Sequence, residues 1–198
     1  MSEPNPPLTF EPLTPERWSD LEALFGPRGA CGGCWCMTWR LTRAEYVRSK
    51  GDANREAFRK IVANGAPVGL LAYAGNESIG WCAIAPREAF PTLERSRILK
   101  RIDDQPVWSV VCFFVKRGWR RRGISTRLLE AAVDYAAARG ARIVEGYPVE
   151  PRSAEMPPVF AWTGLVASFR QAGFVEIARR SETRPIMRYV VEEDRRSV

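Results

Sequence analysis

One junction constrains this chain more than any other feature. Val107–Val115 reads Val-Trp-Ser-Val-Val-Cys-Phe-Phe-Val, β-branched or aromatic almost throughout. A run with so little polar alternation predicts a strand buried on both faces. It leads through Lys116–Arg122 to Gly123. Beyond that glycine Ile124, Leu128, Leu129, Ala132, Val133 and Ala136 recur at helical spacing, and Gly140 closes the pattern. Arg142–Tyr147 then reads as another strand. Strand, helix and strand in succession require a crossover, so these two strands lie parallel with a helix over them.

The remaining elements hang on this unit. Leu8–Leu13 is expected as a first strand. Thr14-Pro15-Glu16 carries the signs of a helix start, and Trp18, Leu21, Leu24 and Phe25 give it an apolar stripe up to Gly26-Pro27. A second helical region covers Thr42–Asn64 with a break near Gly51. Val68–Ala74 and Ile79–Ala85 flank the turn-rich Gly75–Ser78, a hairpin signal. Arg87–Asp104 reads as irregular with one helical turn, and Pro148–Pro158 as a proline-rich loop. Gly164–Ala172 is a short helix, and Phe174–Ala178 with Pro185–Val191 form a final antiparallel pair. A mixed α/β (α+β) sheet, mostly antiparallel with helices on both faces, follows. The 198 residues fit a single domain. Residues 1–7 form a Pro-rich arm, and residues 192–198 a charged tail.

The junction is electrostatically odd. Lys116, Arg117, Arg120, Arg121, Arg122 and Arg127 crowd the start of a helix, and no carboxylate intervenes before Glu130. Helix N-termini carry partial positive charge and favour acids by ~0.3–1 kcal/mol. Cations there make sense when an anion joins them, because first-turn amides, the dipole and the guanidinium groups converge on one phosphate. Gly123 lets the backbone approach such a group, and Ser125 is small enough not to block it. Walker and GxGxxG loops are absent. A solvated basic loop is the alternative.

Arg120-x-x-Gly123-x-Ser125 after a hydrophobic strand resembles the [QR]-x-x-G-x-[GA] signature of the GNAT superfamily of N-acetyltransferases, with Ser as a mild departure. The element order is similar as well, and Phe169–Phe174 resembles the family's aromatic-x-x-x-G-F step. The resemblance implies that Arg120, Arg121, Arg122, Gly123, Ile124 and Ser125 hold the pyrophosphate of acetyl-CoA. It implies that Phe113 and Val115 pair through their backbone with pantetheine, and that Val107–Val115 and Arg142–Tyr147 splay apart to admit the thioester. The acetyl group then passes to a primary amine of a small molecule or protein. Two places depart from the family pattern. Val107–Val115 holds no Glu, and Phe169 stands where a proton-donating Tyr is usual. Glu145 and Tyr147 share one face of their strand by alternation and are the substitutes, Glu145 as base through water and Tyr147 as donor.

Cys31-x-x-Cys34-x-Cys36 invites a zinc reading, but no His exists in the chain to complete a site, and Cys82 and Cys112 fall in buried strands. No metal is expected. In the resembling family this segment walls the acceptor pocket, which assigns Cys34, Trp35, Met37 and Trp39 to the acceptor, with core packing as the alternative. An odd number of cysteines suggests reduced thiols and a cytoplasmic address. No apolar run approaches the ~20 residues of a membrane helix. Two rivals remain: a non-catalytic acyl-CoA sensor on the same fold, and a nucleic-acid module drawing on the net charge of +7. The terminal strands offer an edge for a homodimer.

Overall fold

The strand at the junction becomes the hub of the sheet. The computed structural model describes residues 7–152 and 158–192; nearly all of the N-terminal arm and the charged tail lie outside these residues. Seven strands run in the order β1-β2-β3-β4-β5-β7-β6. They are β1 (Leu8–Pro12), β2 (Gly69–Ala74), β3 (Glu77–Pro86), β4 (Trp108–Val115), β5 (Ile143–Gly146), β6 (Val175–Arg179) and β7 (Pro185–Val190). Every neighbouring pair is antiparallel except β4 and β5, the pair joined by the crossover.

Helices cover both faces. The crossover helix α5 (Ile124–Ala137) buries Leu128, Leu129, Ala132, Val133 and Ala136 completely against one face. It shares that core with α6 (Val166–Gln171). The other face takes α1 (Trp18–Phe25) and α3 (Asp52–Ala63), whose Trp18, Leu21, Phe25 and Phe58 pack around the fully buried Trp81 of β3. Between them α2 (Arg43–Arg48) starts on a Thr42–Glu45 capping box. It breaks from α3 at Gly51, whose φ of +85° few other residues adopt.

Two details differ from the sequence reading. Thr14 does not cap α1: a 3-10 turn over Pro15–Arg17 comes first, and the Thr14 side chain makes no capping bond to it. The polar stretch after β3 is more ordered than its composition suggests. It holds a 3-10 turn at Arg87–Ala89 and the one-turn helix α4 (Pro91–Glu94), and it buries Arg87 to 1% exposure.

The parting of β4 from β5 positions the site. The two strands pair only at Trp108–Val144, Ser109–Glu145 and Val110–Gly146. Beyond Val110 they separate, and the buried ring of Phe169 from α6 sits at the fork. A Cβ on Gly146 would lie 1.9 Å from that ring, and one on Gly164 2.7 Å from it. Both glycines are therefore required by close packing, which anchors α6 across the gap.

Candidate active site

The loop before α5 has the geometry of an anion cradle. Gly123 caps the helix in the left-handed conformation at φ +73° without any side-chain cap. Arg121 is also left-handed, at φ +61°. The amides of Gly123, Ile124 and Ser125 have no backbone acceptor among the described residues. First-turn amides in such a turn are phosphate donors. Arg120, Arg121, Arg122 and Gly123 are exposed there, whereas the Ile124 side chain is buried in the core and only its backbone faces the loop. Not every cation is available. Lys116 pairs with Glu77 of β3, a partner 39 residues away that local sequence does not reveal. Arg122 lies over the Trp119 ring at 5.2 Å.

From this loop a cleft of about 610 Å3 runs along the free edge of β4. Phe113, Val115, Arg120 and Ser125 line the end nearest that loop. Cys34, Trp39, Tyr46, Cys112, Phe160 and Trp162 line the rest. The edge of β4 itself is engaged at three points. The Trp39 indole donates to the Val111 carbonyl at 3.2 Å, and Arg120 Nε donates to the Val115 carbonyl at 2.9 Å. The Phe113 amide donates to the Trp162 carbonyl at 2.6 Å. Phe113 and Val115, expected to offer open backbone to a ligand, thus have one group each already bonded within the chain. Tyr46, Cys112, Phe160 and Trp162 were not singled out from sequence. The only local signal was Phe160-Ala-Trp162, an aromatic cluster inside a polar loop.

Glu145 and Tyr147 come together as their alternation predicts, with the Tyr147 hydroxyl donating to Glu145 Oε2 at 2.9 Å. Their surroundings differ from the expected proton-transfer site. Glu145 is 2% exposed and Tyr147 fully buried, and neither lines the cleft. Arg87 donates to the Tyr147 hydroxyl at 2.5 Å and to Glu145 at 3.4 Å. Arg188 of β7 holds the other Glu145 oxygen at 2.6 Å, and Ser109 of β4 closes the set 2.9 Å from Tyr147. Three donors occupy the Glu145 carboxylate, and at 2% exposure it does not face the cleft. Burial and the Glu145 charge push the Tyr147 phenol far up, which makes it a reluctant proton donor. The group acts instead as a lock between β4, β5, β7 and the Arg87 turn. Arg188 extends it to Asp103 through two bonds of 2.6 and 2.9 Å. Those bonds lower the Asp103 carboxyl to about 2.

The cysteine segment is a tightly folded wall. Ala30, Trp35 and Cys36 all have positive φ, strain of the kind that loops at binding sites carry. Cys34 and Trp39 reach the cleft, as expected for an acceptor wall. Trp35 and Met37 do not. Both are at least 95% buried, and Trp35 packs against Trp18 and Phe25, because the apolar face of α1 needs covering. Cys36 accepts from the Trp81 indole at 2.9 Å and lies 3.9 Å from the Cys112 sulfur. Among the described residues no group of three or more Cys, Asp or Glu side chains is arranged to hold a metal ion. No helix among them is long and apolar enough to cross a membrane.

Comparison with known proteins places this arrangement. Residues 35–156 match the model of the acetyltransferase (GNAT) family. A sequence search of curated proteins gave no significant match. Among solved structures, a GNAT-family acetyltransferase from Streptococcus agalactiae is 11% identical with a TM-score of 0.56, covering 94% of this chain and 96% of its own. Arabidopsis thaliana NAA60, solved with acetyl-CoA, is 18% identical with a TM-score of 0.51, covering 93% and 100%. The PaiA N-acetyltransferase from Thermoplasma acidophilum, solved with coenzyme A, is 14% identical with a TM-score of 0.52, covering 93% and 99%. At these identities the likeness is one of fold.

Proposed function

The chain belongs to the acetyltransferase (GNAT) family, and from that membership we propose that it is an N-acetyltransferase moving an acetyl group from acetyl-CoA to a primary amine of a small molecule or protein. One observation carries the reading. The acid-free, left-handed turn at Arg121–Gly123 opens directly onto a cleft beside the fork of β4 and β5. The diphosphate sits on the Gly123, Ile124 and Ser125 amides with Arg121 beside it. Pantetheine runs along β4, exchanging the Phe113–Trp162 and Val115–Arg120 bonds for its own amide bonds. Such an exchange is close to neutral, since one hydrogen bond replaces another. The chain holds acceptor and thioester together, which supplies rate without a dedicated base. The whole chain acts as one catalytic domain in the cytoplasm, with thiols kept reduced, and two copies pair through their terminal strands.

The bond from Phe113 to Trp162 also suits a sensor that binds acyl-CoA without turnover, and one experiment separates the two. Acetyl-CoA at a hundred times its Kd is expected to stabilise the fold by about 2.7 kcal/mol. At this size that corresponds to a Tm rise of about 5–10 °C. Release of CoA thiol when an amine panel is added marks the enzyme. A Tm rise without any thiol release marks the sensor, and no Tm rise removes both readings.

A further inference from the structure

Four of the chain's five cysteines, Cys31, Cys34, Cys36 and Cys112, line the cleft beside β4. Three come from the segment before α2, and Cys112 belongs to β4 itself. One pair in this cluster is already in contact. The Cys36 and Cys112 sulfurs lie 3.9 Å apart and join segments 76 residues distant in sequence. A disulfide needs about 2 Å between sulfurs. Cys36 sits outside any helix or strand, at φ +57°, where the backbone adjusts more readily than in a sheet. The Trp81 indole N–H points at the Cys36 sulfur from 2.9 Å. A donor there steadies the negative charge that develops as the thiol proton leaves. The contact with Cys36 and burial push the Cys112 thiol well up, so Cys112 stays protonated beside it.

We infer that Cys36 and Cys112 are a peroxide-sensitive dithiol, and that their reversible disulfide closes the cleft to acyl-CoA. The oxidation site stands by itself; its effect on acyl-CoA rests on the acetyl-transfer reading above. The Cys36 sulfur attacks hydrogen peroxide. An S–O bond forms, the O–O bond breaks, and one oxygen leaves as water with the thiol proton, giving a sulfenic acid. The Cys112 sulfur then attacks Cys36. The S–S bond forms, the S–O bond breaks, and the hydroxyl departs as a second water with the Cys112 proton. The two thiols lose two electrons and the peroxide gains both. A small dithiol reverses the bond by exchange. Cys112 adjoins Phe113, whose amide has to release the Trp162 carbonyl before acyl-CoA can pair with β4. A covalent tie at Cys112 fixes that edge and draws the cysteine wall across it.

The test treats the reduced full-length protein with a small excess of hydrogen peroxide and no ligand. Intact mass is expected to fall by about 2 Da, the loss of two hydrogens. Thiols counted in denaturant should drop by two from the original five. Tryptic peptides 29–40 and 102–116 should emerge joined, and dithiothreitol should part them. Peptide 29–40 holds three cysteines, so fragment sequencing of the wild-type pair assigns the bond to Cys36 without any variant. Cys34→Ser is expected to keep the link, and Cys36→Ser and Cys112→Ser to lose it. Calorimetric titration of the oxidised protein should show acetyl-CoA bound about tenfold more weakly, with recovery in dithiothreitol. A link through Cys31 or Cys34, sulfinic acid without a link, or five surviving thiols overturns the site. The expected link with unchanged acetyl-CoA affinity overturns its control of the cleft. Reduced protein that binds no acetyl-CoA overturns the acetyl-transfer reading instead, and the joined peptides still decide the dithiol.

Discussion

Gly123→Asp is expected to abolish the Tm rise that acetyl-CoA produces and to weaken its binding by about a hundredfold or more. The variant should fold. A Cβ at Gly123 meets nothing within 4 Å, and Asp is among the few residues that tolerate the left-handed conformation held there. Its carboxylate, however, takes the place of the ligand's phosphate on the first-turn amides and caps the helix from within. Gly123→Asn isolates the charge, because it has the same shape without it; a loss below about tenfold is expected. A full thermal response in Gly123→Asp, measured by differential scanning fluorimetry, contradicts a diphosphate at this turn.

The second large effect concerns stability. Glu145→Gln keeps the shape of the side chain and removes the one anion shared by Arg87 and Arg188. Breaking a buried pair on one side costs about 3–5 kcal/mol. Here Glu94 and Asp103 still hold the arginines, which favours the lower end. A Tm fall of about 6–12 °C is expected, with the pH dependence of kcat/KM unchanged. Tyr147→Phe should behave alike but more mildly, losing about 1–3 kcal/mol with the bonds to Arg87, Glu145 and Ser109. A collapse of kcat with unchanged Tm in either variant restores the catalytic role that alternation along the strand suggested. Acid acts on the same lock from its rim. Asp103 has its carboxyl lowered from 3.8 to about 2 by Arg188, so its contribution is whole above about pH 4 and disappears as pH falls through 2.

The sheet, the crossover and the cradle were legible because their signals are local. Continuous apolar residues gave β4, a 3.6-residue stripe gave α5, and unneutralised arginines before Gly123 marked its N-terminus. The pairing of Glu145 with Tyr147 was legible too, from alternation alone. Their burial was not, since it depends on Arg87, 58 and 60 residues earlier in a stretch whose composition reads as solvated. The neutralising of Lys116 by Glu77 and the docking of Trp162 on Phe113 are likewise long-range contacts. Trp162 docks through its main-chain carbonyl, which carries no side-chain signature at all. In the cysteine segment residue type does not tell which side chains face the cleft. Cys34 and Trp39 turn to the cleft while Trp35 and Met37 fill the core, a choice set by positive φ at Trp35 and Cys36.

The most direct measurement is calorimetric titration of the wild-type protein with acetyl-CoA and with S-acetyl-pantetheine, which keeps the thioester and amides but lacks the diphosphate and nucleotide. A loss of about a hundredfold in affinity for the truncated ligand is expected if the Arg121–Ser125 turn binds the diphosphate. Equal affinities would mean that this turn holds nothing, and would contradict the assignment of the site.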